Sequence, residues 1–172
     1  VTLQERILAA SRDVMDFPRE GIVFKDLAGV YADHQLFADV RDALLPSAQG
    51  ATVVAGIEAR GFLVGAALSL AAGVGFVPIR KAGKLPGRCR SLSYELEYGC
   101  ATLEVQTQGL NPGDRVLVVD DVLATGGTAA AACRLIESCG AQVTGLAILV
   151  ELSSLGGREQ LAGRALTALA TA

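Results

Sequence analysis

The chain has 172 residues, 51% of them hydrophobic and 19% charged, enough apolar material for one well-packed domain and too much for a disordered tail. Its 15 Lys and Arg against 18 Asp and Glu leave a net charge of −3, and aromatics are 5% with no Trp, a balance that disfavours general nucleic-acid binding and a single-strand stacking surface. One histidine, His34, rules out most zinc sites and leaves a single candidate for triad chemistry.

Leu3, Ile7, Leu8, Val14 and Met15 recur at near-helical spacing and predict a first amphipathic helix, stopped by Asp16-Phe17-Pro18. Glu5, Arg6, Arg12 and Asp13 leave this segment without the apolar core of a signal peptide. Residues 17–30 read as a loop around Ile22-Val23-Phe24, and Asp33 caps a second helix with Leu36, Phe37, Val40 and Leu44 on one face. His34 is expected to be an exposed helix residue. Thr52–Ile57 reads as a strand, Arg60–Ala72 as a helix and Gly75–Arg80 as a strand. The uncharged run Gly61–Ile79 is long enough to invite comparison with a membrane span, but Gly73 and Gly75 break any helix there, so helix, turn and strand are expected instead. Residues 82–93, rich in Gly, Pro, Lys, Arg and Ser, read as a long mobile loop, and Tyr94–Tyr98 with Ala101–Val105 as a hairpin around Gly99. After the turn Asn111-Pro112-Gly113 come the apolar strand Arg115–Val119, a helix from Gly127 to Cys139 stopped by Gly140, and the buried strand Val143–Val150.

Continuous apolar strands alternating with helices from 52 to 150 predict an α/β fold with a mostly parallel sheet covered on both faces. Ligands on such sheets sit at the carboxyl ends of the strands. Cys89, Cys100, Cys133 and Cys139 have neither metal-ligand spacing nor a Cys-x-x-Cys pair, so four free thiols in a reducing, cytoplasmic setting are expected.

The run Val116-Leu-Val-Val-Asp120-Asp121-Val-Leu-Ala124-Thr125-Gly126-Gly127-Thr128 is the most informative stretch. A buried strand ends in two acids, then a small-residue turn opens a helix. Gly126 and Gly127 let backbone N–H groups close around an anion, the two threonines add hydroxyls, and the helix start adds partial positive charge. Two carboxylates beside a bare phosphate would repel it; on a sugar phosphate they can take the ribose hydroxyls while the turn takes the phosphate. The run is neither a Walker A loop nor a Gly-x-Gly-x-x-Gly turn. Arg60 follows a strand and can grip an anion, and Arg80, Lys81, Lys84, Arg88 and Arg90 concentrate positive charge in one segment of an acidic chain.

This run resembles the 5-phosphoribosyl 1-diphosphate (PRPP) motif of type I phosphoribosyltransferases. Phe17-Pro18-x-x-Gly21-Ile-Val-Phe24-Lys25-Asp26, Gly56-Ile-Glu-Ala-Arg60-Gly61-Phe62, Arg80-Lys81-x-Gly83-Lys84-Leu-Pro86-Gly87 and Tyr94-x-Leu-Glu97-Tyr98-Gly99 are similar, in that order, to the adenine-specific family, over roughly residues 1–160. The resemblance implies a single domain over 1–172, with a small N-terminal hood and base-binding loop (1–32) and a lid loop and hairpin (80–105). It implies conversion of adenine and PRPP to AMP and pyrophosphate with Mg²⁺ carried on the PRPP oxygens, in a homodimer with no nucleic-acid or membrane partner.

Residue by residue, the resemblance assigns Asp120, Asp121, Ala124, Thr125, Gly126, Gly127 and Thr128 to the ribose phosphate, and Arg60, Lys81 and Lys84 to the pyrophosphate. Val23, Phe24 and Lys25 bind adenine, the aromatic ring stacking on the base while backbone groups read its edge. Glu97 handles the purine proton, and Tyr98 covers the reacting groups with Arg60 beside them. No protein ligand for Mg²⁺ is assigned. Glu151, after the last clear strand, is a candidate support for the ribose-facing loop. The carboxyl end, Arg164–Ala172, lacks the aromatic strand that the resemblance leads one to expect, which leaves the last strand open. Two other readings stand beside this one: a sister enzyme for hypoxanthine, xanthine or orotate, and a regulator that binds PRPP or nucleotide without turnover.

Overall fold

The first sixteen residues do not form one helix. In the computed structural model, which describes residues 1–96 and 99–172, helix α1 covers only Leu3–Ala10, opened by a capping box between Thr2 and Glu5. Ser11 closes it, its N–H and hydroxyl both donating to the Leu8 carbonyl. Arg12–Val14 then forms strand β1, antiparallel to β2 (Phe24–Asp26), with Asp13 opposite Lys25 and Arg12 opposite Asp26. Both pairs are salt-bridged across the ribbon, so charge pairing between strands overrides the helical spacing of Val14 and Met15.

Helix α2 (Ala28–Ala32) leads to α3 (His34–Leu44), capped as expected by Asp33, whose carboxylate accepts from the Leu36 N–H at 2.9 Å. His34 is the exposed first residue of α3. Next come β3 (Val53–Ile57), α4 (Gly61–Ala72) and β4 (Gly75–Lys81), with Gly73 at φ 69° making the turn between them. No helix among the described residues is long and apolar enough to cross a membrane. The segment read as a loop over 82–93 is half strand: β5 (Cys89–Glu95) pairs along its length with β6 (Cys100–Gln106), from Cys89 opposite Gln106 to Glu95 opposite Cys100. The loop therefore shrinks to residues 82–88. Strand β5 lies at the sheet edge, and its polar Arg90, Ser91 and Ser93 suit an edge better than an interior. Strand β7 (Arg115–Leu123), helix α5 (Gly127–Ser138) and strand β8 (Gln142–Glu151) follow, and β9 (Leu166–Thr171) supplies the last strand without any aromatic residue.

The main sheet has the order β5-β6-β4-β3-β7-β8-β9, parallel from β4 to β9 and antiparallel at the β5–β6 edge. Along the central strands the side chains alternate between two cores. Ala55, Val116, Val118, Leu146 and Ile148 face α5, whereas Val54, Leu117, Val119, Ala147 and Leu149 face the side of α1 to α4. Both faces are therefore covered, as the continuous apolar runs require. The chain moves outward from β3 to β4 in one direction and from β7 to β8 in the other, so β3 and β7 flank a topological switch point.

Helices α1 and α2 are packed against each other in close contact. A Cβ on Gly29 of α2 would lie 2.3 Å from the Ala10 carbonyl oxygen at the end of α1. Gly29→Ala is expected to lose about 2 kcal/mol net, because forcing α1 outward outweighs the roughly 1 kcal/mol of helix propensity that Ala gains. Urea denaturation checks this, and unchanged stability would mean that α1 shifts freely.

Candidate functional site

Strand β7 carries Asp120 and Asp121 to its carboxyl end, directly across the switch point from the end of β3. Asp121 is buried and accepts from Arg60 Nε at 2.8 Å and from the Tyr31 hydroxyl at 3.3 Å. Burial pushes its carboxyl above the usual range, against the pull of the Arg60 charge. Asp120 accepts from the Asp121 N–H at 2.8 Å; burial, reinforced by the neighbouring Asp121 charge, raises it well above the usual carboxylate range. Burial and the Asp121 charge likewise raise the Tyr31 phenol, which stays a donor. Gly61 opens α4 against this corner: a Cβ there would lie 2.9 Å from the Val119 carbonyl oxygen and 3.0 Å from Asp120 Oδ1.

Past the acids the chain turns through Ala124 and Thr125 to Gly126, whose φ of 86° favours glycine. Helix α5 starts there with no side chain capping it, so its first N–H groups have no side-chain partner. The Thr128 hydroxyl shares a 3.0 Å hydrogen bond with the hydroxyl of Tyr94 from β5, which ties the hairpin to the helix start.

The basic side is organised by one carboxylate. Glu58, at the end of β3 and only 7% exposed, accepts from the Lys84 ammonium at 2.6 Å, the Lys81 N–H at 2.8 Å and Arg80 Nη2 at 3.1 Å. Burial alone would raise this carboxyl, but those three donors overrule it and bring it down to about 2. The peptide bond between Glu58 and Ala59 is cis. Arg80 also lies over the Phe62 ring, 6.0 Å from its centroid.

Arg60 links the acid pair of β7 to strand β2. Besides Asp121 it donates to the Lys25 carbonyl at 2.8 Å, and its guanidinium stands 4.4 Å from the centroid of the Phe24 ring. Phe17 meets the same ring edge-on at 5.1 Å. The Lys25 side chain is held by Asp13, so this residue presents its backbone to the site, while Val23 is half exposed.

A cleft of about 340 Å³ lies among these groups, lined by Arg60, Lys81, Asp120, Asp121, Ala124, Thr125, Gly126 and Thr128 of the sequence-predicted set. Lys84 and Gly127 are not in its wall; Lys84 reaches it through Glu58. Val23, Phe24 and Lys25 stand outside it, and the last two connect to it through Arg60. Glu97 and Tyr98 lie outside the described residues. Sequence reasoning missed Tyr31 and Tyr94, and gave Glu58 no role of its own beyond its place in the Gly56–Phe62 run. The signal for Glu58 was there: a lone acid between a buried strand and a basic segment calls for cationic partners. Tyr31 had none, since it meets Asp121 only through the fold. All four cysteines are free.

Because the Glu58 carboxyl titrates at about 2 instead of its ordinary 4.5, its charge favours the fold above pH 4.5 and ceases to do so as pH falls toward 2. Glu58→Gln is therefore expected to be less stable than the parent by an amount that is constant above about pH 5 and shrinks below it. Chemical denaturation across that range tests this; a difference independent of pH would remove the ion cluster as its cause.

The phosphoribosyl transferase domain model matches residues 30–161. An adenine phosphoribosyltransferase of Streptomyces coelicolor is 55% identical over 175 aligned positions, covering 98% of this chain and 96% of the relative. That of Kineococcus radiotolerans is also 55% identical, over 96% of this chain and 90% of the relative. Among solved structures, the adenine phosphoribosyltransferase of Thermoanaerobacter pseudethanolicus is 44% identical with a TM-score of 0.93, covering 99% of this chain and 100% of that one. The Saccharomyces cerevisiae enzyme, complexed with D-2,5-dideoxy-2,5-imino-altritol 1,6-bisphosphate and adenine, is 39% identical with a TM-score of 0.89, covering 97% and 98%.

Proposed function

The chain belongs to the adenine phosphoribosyltransferase family, and on that premise we propose how its cleft converts adenine and PRPP to AMP and pyrophosphate. One observation carries the reading. Two acids at the end of β7 run straight into an uncapped helix start, and a basic cluster faces them from β3 and β4. That arrangement has a place for ribose hydroxyls, a place for a phosphate and a place for a second polyanion.

In the proposed mechanism, Asp120 and Asp121 hold the ribose hydroxyls, and Ala124, Thr125, Gly126, Gly127 and Thr128 hold the 5′-phosphate. Binding the phosphate lends remote binding energy to positioning of the anomeric carbon. As the bond from that carbon to the pyrophosphate oxygen breaks, positive charge grows on the ribose, where the acids favour it. Negative charge grows on the leaving group, where Arg60, Lys81 and Lys84 offset it. Adenine stacks on Phe24 with Val23 and the Lys25 backbone at its edge. Glu97 takes up the purine proton as the new carbon–nitrogen bond forms, and Tyr98 covers the reacting groups; these two roles rest on the sequence pattern.

Among the described residues no three His, Cys, Asp or Glu side chains gather into a metal-holding cluster. An acid pair with one carboxylate committed to Arg60 suits Mg²⁺, which keeps waters and takes one or two carboxylates beside substrate oxygens. The PRPP oxygens would be its main ligands, and Asp120 and Asp121 are the protein groups that would help hold it. Bound there, Mg²⁺ supplies neutralisation of charge on the leaving group.

A homodimer is part of the proposal. Helix α4 is apolar on every side, yet Leu63 is 49% exposed and Leu70 83%, two turns apart on one face. A second copy covering that face would remove the exposure; sedimentation equilibrium is expected to give about twice the 17.7 kDa chain mass. Four free thiols support a reducing, cytoplasmic setting.

The decisive assay supplies PRPP and Mg²⁺ with adenine, hypoxanthine or guanine in parallel and follows nucleotide and pyrophosphate. AMP from adenine alone is expected, abolished by chelation and restored by Mg²⁺, and lowered about 10²–10⁴-fold in Glu97→Gln. PRPP binding with no turnover of any base would make the chain a binder and remove the catalytic roles.

A further inference from the structure

Behind the phosphate turn lies a segment that the proposed reaction does not use. Glu151 ends β8 with its side chain 9% exposed and takes a two-pronged contact from Arg158, 3.0 Å from Nε to one oxygen and 2.5 Å from Nη2 to the other. Between them the chain folds back on β7, the Leu152 N–H donating to the Leu123 carbonyl at 2.9 Å, and just beyond Arg158 Leu161 is buried in the main core.

Gly157 is pressed against the turn itself. A Cβ on Gly157 would lie 2.2 Å from the Ala124 carbonyl oxygen and 3.1 Å from the Gly126 nitrogen. Reciprocally, a Cβ on Gly126 would lie 2.4 Å from the Gly157 carbonyl oxygen. These are backbone-to-backbone contacts, so the segment is a wall against which the turn rests and past which it cannot retreat.

We propose that Glu151, Arg158 and Gly157 are positioning residues that back the 124–128 turn and so set the affinity of its 5′-phosphate site. The proposal rests on the reading that this turn holds the phosphate. A planar guanidinium gripping a nearly buried carboxylate fixes direction as well as distance. Removing Arg158 leaves that carboxylate buried and unpaired, and the segment carrying Gly157 must then move to hydrate it. The amides of the turn lose their backing as it does.

The test uses the full chain and two probes, ribose 5-phosphate for the turn and pyrophosphate for the basic cluster, with Kd by calorimetry beside the steady-state constants. Gly157→Ala and Arg158→Ala are expected to weaken ribose 5-phosphate and raise the KM for PRPP by about tenfold, while pyrophosphate affinity and kcat at saturating PRPP stay within about threefold. Arg158→Lys, which keeps the charge and loses the fork, is expected to fall between parent and Arg158→Ala. Unchanged ribose 5-phosphate affinity in both variants would overturn the proposal, as would equal weakening of the two probes, the sign of general loosening. Thr125→Ala separates this from the underlying reading. If it weakens ribose 5-phosphate and the backing variants do not, only the backing fails. If it has no effect, the turn does not hold the phosphate and both fall.

Discussion

Like charges have to share a small space in this molecule, and most of its site geometry answers that constraint. The substrate is a polyanion, yet Glu58, Asp120 and Asp121 all stand at its cleft. Each acid is neutralised by a different means. Glu58 is surrounded by donors from Arg80, Lys81 and Lys84 and stays charged far into the acid range. Asp121 is paired with Arg60 and receives the Tyr31 hydroxyl. Asp120 has only the Asp121 N–H and a rise in pKa driven by burial. A gradient follows, from a firmly ionised acid in the basic cluster at the end of β3 to a reluctant one at the end of β7.

Topology makes that arrangement possible. Strands β3 and β7 are hydrogen-bonded neighbours whose following segments leave on opposite routes, so two loops of opposite character open side by side. Short range keeps them separate: the Glu58 cluster is assembled from β3, β4 and the loop after it, and the acid pair from β7 alone. Arg60, set beside the Glu58 cluster, reaches across to touch Asp121, the Lys25 carbonyl and the Phe24 ring together.

Much of this could be read from the sequence, for reasons that differ by element. The strands β3, β4, β7 and β8 show as apolar runs because both their faces are buried, and the turn at Gly126 shows because its backbone requires glycine. The β1–β2 ribbon did not show, since three residues of charged sequence become a strand only when Asp13 and Lys25 meet across it. Strand β5 hid for a related reason: an edge strand is polar, and its Gly- and Pro-rich approach looks like loop all the way. The sequence leaves the last strand open because Arg164–Ala172 has no aromatic residue; β9 forms there all the same, Leu166, Ala168 and Ala170 pairing in register with β8. The acids and threonines of the turn are local and legible. Tyr31 and Tyr94 act through partners 90 and 34 positions away, which no window of sequence reveals.

The hood has a further consequence for how the chain acquires its shape. Ile7 of α1 and Ala170 of β9 lie in the same buried cluster, with Leu3 and Leu169 packed against it. The β1–β2 ribbon follows directly from α1, so it leans on a strand far along the sequence. During synthesis the central strands can pair as they emerge, but the first helix has no complete seat until β9 has been translated. Closing that long loop comes late and carries a high contact-order cost. Helix α1 and the ribbon that follows it are thus among the last parts to settle, fixed only when β9 completes the sheet.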